Sequence, residues 1–144
     1  MAFSGYLIGF KDGNGTLVKF PIKYMRYETY KYTKNMLDLD STRDTTGVLH
    51  RTVLSHTAAK VEFNMPYMDK TSQQAALKFI KDAFTYPDGN AQARKLRLRY
   101  YDEWTDDYKE GIFYVPDIQF TIRNIDAANN KINYGETRIA FIEY

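Results

Sequence analysis

At 144 residues the chain has the length of one domain built around one core. Its net charge of +2 is too small to argue for a nucleic acid or an anionic membrane as partner, and the absence of cysteine excludes disulfides, thiolate catalysis and zinc–thiolate sites. Aromatic residues reach 16%, with 13 tyrosines, a composition that favours half-buried strand faces and surfaces covered by other proteins.

The first residues, Met1-Ala2-Phe3-Ser4-Gly5-Tyr6, lack the basic start and apolar run of a signal peptide, and no apolar run approaches the roughly 18 residues of a membrane span. Tyr6, Ile8 and Phe10 alternate with smaller residues, and the pattern resumes at Leu17 to Phe20. Between them Asp12-Gly13-Asn14-Gly15 predicts a hairpin turn, because glycine supplies the positive φ that it needs. Pro21 ends the second strand. From Ile22 to Tyr32 the alternation of aromatic and charged residues predicts a bulged strand with a sticky outer face, making Tyr27, Tyr30 and Tyr32 candidate interface residues. Asn35 to Gly47 is polar and turn-rich, with no regular period. Val48 to Leu54 and Ala59 to Met65 again read as strands, the second with Val61, Phe63 and Met65 on one face. Together, about 24–65 reads as a long β-hairpin with an extended, flexible middle.

A helix is expected over about 71–85, opened by Thr71 with Gln74 as a capping box and striped by Ala76, Leu77, Ile80, Ala83 and Phe84. Strands follow over 96–101, 112–115, 118–125 and 134–142, with Asp126 to Asn130 turning between the last two. This order predicts a mainly β (α+β) fold: an antiparallel β-sandwich or barrel with one flanking α-helix and a long hairpin arm, in a single domain over 1–144.

The search for chemistry finds little. Asp38, Asp40, Thr42 and Asp44 have the spacing of a calcium loop, but Arg43 stands where the motif needs glycine and Leu49 where it needs glutamate. His50 and His56 read as surface residues, and Ser55 lies in no nucleophile elbow. Asp102, Glu103, Asp106 and Asp107 surround Trp104 in an acidic loop read as solvated, with Trp104 as a contact anchor. Lys95, Arg97 and Arg99 form the outer face of a strand whose inner face is Leu96, Leu98 and Tyr100. No catalytic residue, cofactor site or metal site is expected.

Asp38 to Asp44, Gly47 to Arg51 and Lys60 to Tyr67 resemble a family of small proteins encoded in the tail modules of long-tailed phages and prophages of Gram-positive bacteria. The element order is also similar to the tail-tube fold shared by tube, distal tail and baseplate hub proteins. The resemblance transfers no catalytic residues and lacks the decoration domain of a major tube protein. It implies a structural virion protein, made in the host cytoplasm, that forms a ring, expected as a hexamer, around a central channel. Its expected partners are its own copies and the tape measure, tube, hub or receptor-binding proteins, with no membrane and no specific nucleic acid. The arm that reaches a neighbour would carry Leu39, Asp40, Arg43, Asp44, Val48, Leu49, His50 and Arg51. The alternatives are a small carbohydrate- or protein-binding β-module using Trp104, Tyr101 and Tyr108 as a stacking platform, or an enzyme built on the histidines or the acidic loop.

Overall fold

The computed structural model describes residues 3–144; the side chains at positions 36, 38–40 and 53–57 lie outside what it describes. The chain opens with β1 (Ile8–Lys11) and β2 (Leu17–Lys19), joined by the expected turn. There Asp12 Oδ1 accepts from the amides of Asn14 and Thr16 at 2.9 and 3.0 Å, and Gly15 sits at φ +78°. The two longest strands, β3 (Lys31–Arg43) and β4 (Leu49–Met65), form the hairpin arm. A two-residue β5 (Met68–Asp69) leads into α1 (Lys70–Ala83). After it come β6 (Lys95–Asp102), β7 (Asp107–Tyr114), β8 (Ile122–Asp126), β9 (Lys131–Tyr134) and β10 (Thr137–Glu143).

Seven strands form one antiparallel sheet in the order β2-β1-β6-β7-β10-β4-β3, and β5-β9-β8 form a second, small one. In a flat sheet β3 and β6 would stand four strand spacings apart, about 19 Å. Yet the rings of Tyr32 on β3 and Tyr100 on β6 stack at 5.5 Å, and Phe10 on β1 meets Phe141 on β10 at 6.5 Å. The large sheet is therefore rolled, and its inner face is the core: Ile8, Phe10, Val61, Phe63, Leu96, Leu98, Phe113, Ile139 and Phe141 are all buried. The helix lays Ala76, Leu77, Ile80 and Ala83 onto this core, and Phe79 meets Phe20 edge-on at 5.9 Å. Its other neighbours are β5 and β9. The fold is thus mainly β, antiparallel, with one flanking helix and a long hairpin arm, as the alternation and the helical stripe predicted.

Several expectations change in detail. Ile22 to Tyr32 is not one bulged strand: Ile22–Tyr24 makes a single 3-10 turn, and the strand begins only at Lys31. Asn35 to Gly47 is not an unstructured middle, because β3 runs through Arg43 and pairs with a continuous β4 across two register shifts near Asp38. The helix is capped by Asp69, whose carboxylate accepts from Ser72 N at 2.8 Å, in place of Thr71. An acceptor two residues earlier takes the Ser72 amide, so the helix starts sooner. The strand expected over 118–125 begins only at Ile122, and the one over 134–142 is broken at Gly135 and Glu136 into β9 and β10, which belong to different sheets. Among the described residues no helix is long and apolar enough to cross a membrane.

Candidate assembly surfaces

The outer half of the arm, residues 41–52, is exposed at every position. Its two strands pair with each other from Ser41↔Arg51 to Arg43↔Leu49, and the tip is closed by local polar bonds. Asp44 Oδ1 accepts from the Thr46 amide at 2.9 Å, the Thr46 hydroxyl at 2.6 Å and the Val48 amide at 3.0 Å. Asp44 Oδ2 pairs with His50 Nε2 at 2.9 Å, Arg43 donates to the Gly47 carbonyl at 2.9 Å, and Gly47 takes φ +87°. The Thr46 hydroxyl first, and then His50, lower the Asp44 carboxyl to about 2. Val48 and Leu49 present the apolar surface of the tip. Of the expected arm residues, Arg43, Asp44, Val48, Leu49, His50 and Arg51 gather here; the side chains of Leu39, Asp40 and His56 lie outside the described residues.

The tyrosines expected on a sticky face part company. Tyr27 is 88% exposed in the loop before β3. Tyr30 and Tyr32 pack partly buried against the core, because the rolled sheet carries the start of β3 over β6. Burial raises both phenols well above the ordinary range, with Glu103 the next cause for Tyr30 and Asp102 for Tyr32. Burial likewise pushes Tyr100 up to about 12.

Trp104, 88% exposed, stands on the β6–β7 turn. The turn is held by Asp102 Oδ1, which accepts from Trp104 N at 2.9 Å, and by a short bond from the Tyr101 hydroxyl to Asp106 Oδ1. The acidic loop is not solvated throughout. Asp102 is fully buried, and its Oδ2 faces Lys109 Nζ at 3.6 Å and Lys34 Nζ, from β3, at 3.8 Å. Only the rolled sheet brings Lys34 there, so the sequence neighbours of Asp102 carry no sign of it. Nor do Trp104, Tyr101 and Tyr108 form a stacking platform. Tyr101 and Tyr108 are each 8% exposed and lock to Tyr6, the Tyr6–Tyr108 rings stacked at 4.4 Å and the Tyr108 hydroxyl donating to the Tyr6 carbonyl at 2.7 Å. The basic face of β6 alternates as expected and is matched by acids: Arg97 binds Asp88 at 2.8 Å and Arg99 lies 3.9 Å from Glu110.

A second surface, missed in the sequence, is an apolar groove of about 520 Å³ between α1 and the segment that leads into β8. Leu77, Ile80, Phe84, Ile118, Phe120 and Ile122 line it, with Lys81 and Arg94 among its lining residues. Gln73 also lines the groove; it is 2% exposed, and its Oε1 has no hydrogen-bond partner. The available signal was a polar residue on the helix's apolar stripe, three and four positions before Ala76 and Leu77. Among the described residues no group of three His, Asp or Glu side chains is placed to hold a metal.

No curated protein matches the chain in sequence. Among solved structures, the fold is similar to that of a chain in the "tail of empty GTA particle computed with helical refinement, C6 symmetry", at 15% identity and a TM-score of 0.50, covering 99% of this chain and 95% of that one. A chain in the "virion of native gene transfer agent (GTA) particle" is similar at 14% identity and a TM-score of 0.46, covering 97% and 91%. At such identities the likeness is one of fold. Residues 1–144 match the family of unknown function DUF6711, and the chain belongs to that family.

Proposed function

We propose that this protein is a structural component of a phage-type tail, a distal-tail, hub or tube element that works by assembly and not by catalysis. The observation that carries the reading is the arm. A two-stranded ribbon in water is marginal on its own, yet here twelve consecutive residues, 41–52, hold a paired, fully exposed hairpin with Val48 and Leu49 at its end. Such an element has no use for its own core and suits contact with a neighbour. The fold likeness to a chain of a tail with sixfold symmetry supports the same reading.

In this reading residues 1–144 act as one tail-tube-like domain, copies form a ring around a channel with a hexamer as the expected number, and the protein resides in the virion. The arm reaches the adjacent copy or the next ring through Arg43, Asp44, Val48, Leu49, His50 and Arg51, with Leu39 and Asp40 on its β3 side. Tyr27 and Trp104 are the exposed aromatics available for further contacts, and the tape measure, tube, hub or receptor-binding proteins are the partners. Light scattering across a concentration series, with negative-stain imaging of the same samples, tests it. Rings or stacked rings are the expected result. A strict monomer, at high concentration and in mixtures with the other tail proteins of its particle, would remove the reading.

A further inference from the structure

Trp104 and the groove beside α1 lie at opposite ends of one hairpin. Trp104 sits on the β6–β7 turn, whereas Arg94 and Val115, which line the groove, flank the open end and are joined by a bond from Val115 N to the Arg94 carbonyl at 2.9 Å. The eight residues of β6 separate the two by roughly 25 Å. A copy placed head to tail on another would bring the turn of one to the groove of the next.

The two surfaces match in three respects. The groove, about 520 Å³ and walled by leucine, isoleucine and phenylalanine, has room for an indole, the largest apolar side chain and here one with almost no intramolecular cover. Gln73 offers a buried oxygen without a donor, and the indole offers an N–H that can only donate. The charges are opposite: Glu103, Asp106 and Asp107 flank Trp104, while Lys81 borders the groove. The acids closest to the groove are taken up locally, Asp82 by Lys78 at 2.8 Å and Asp117 by Arg94 at 2.6 Å.

We propose that Trp104 of one copy seats in the groove between α1 and β8 of a second copy, with its indole N–H donating to Gln73 and its acidic flanks facing Lys81. The contact is heterologous, so it closes into a ring or extends as a stack. It rests on the assembly reading above and adds to it the residues of one interface.

Trp104 is the only tryptophan, so its emission reports this contact alone. On assembly the wild type should shift from water-exposed to shielded emission and lose acrylamide quenching. Trp104→Ala should weaken self-association on the order of 30-fold or more, as removal of a hot-spot residue does, and Trp104→Phe should fall between. Ile122→Glu spoils the groove at a half-exposed position that the core does not need. Neither Trp104→Ala nor Ile122→Glu should make this contact alone, but mixed they should make it one to one, the intact Trp of the second entering the intact groove of the first and becoming shielded from acrylamide. Unchanged melting temperatures confirm that both variants fold. The proposal is overturned if the wild type assembles with its indole still quenched by acrylamide, if Trp104→Ala assembles as the wild type does, or if the mixture leaves the indole open to acrylamide. In those cases the tail reading survives as long as the wild type still forms rings through its arm. A wild type that stays monomeric throughout, alone and with tail proteins, ends both.

Discussion

Asp102 is a carboxylate with no exposed surface, held by one backbone donor and two ammonium groups at 3.6 and 3.8 Å. Asp102→Ala strands the Trp104 amide and leaves two lysines facing a void, and should lower stability by about 1–3 kcal/mol. Asp102→Asn keeps the acceptor for Trp104 and should lose less; urea midpoints of the two variants give the order. Close by, Tyr30, Tyr32 and Tyr100 bury phenols whose ionisation is pushed above the ordinary value of 10.0. Their sign is fixed by which state holds the proton. Above pH 10 the unfolded chain gives up phenolic protons that the folded chain retains, so stability is full below pH 10 and declines as pH rises toward 12 and beyond. A titration at 295 nm should show a late group of tyrosines whose ionisation coincides with loss of near-ultraviolet circular dichroism. Ionisation of all 13 tyrosines as one ordinary group, with the fold intact, would contradict that burial. None of this was legible in the local sequence, where Asp102 reads as one of four acids on a turn. Its environment comes from Lys34, sixty-eight positions away by number and adjacent only because the sheet rolls.

At the level of elements, legibility followed whether an element has a buried face. The β1–β2 hairpin, the stripe of α1 and the alternation of β6 were readable because each sets apolar residues at a fixed period against the core. The outer arm has no such face: Ser41, Thr42 and Arg43 are polar on both sides of a true strand, so its regularity lives in backbone pairing that side-chain patterning cannot report. The same independence gives a prediction. Ser41 and Arg51 are register partners, so removing residues 42–50 and joining these two by Asn-Gly should leave a closed hairpin. The melting temperature should stay within a few degrees, since the exposed half of the arm supports nothing in the core. Ring formation, followed by light scattering, should disappear. Loss of the fold itself would show that the arm is part of the core.

Across the whole molecule, the rolled sheet depends on residues that bridge its two halves. Phe141 on β10 meets Phe10 from β1 and Phe63 from β4, each at 6.5 Å. Phe141→Ala should therefore cost about 3–5 kcal/mol, measured by chemical denaturation, and loosen both halves together. A loss below 1 kcal/mol would mean that the core closes over the gap without it. The rolling leaves the sheet with two unjoined margins, β2 with three residues and β3 with thirteen. A long open margin is an invitation to any extended chain in a crowded cell. Here it carries Lys31, Lys34 and Arg43, charges that an arbitrary strand would have to strip of water before docking. The margin thus resists indiscriminate strand-to-strand pairing, and in the assembly proposed above it would admit only a mate whose charges answer its own.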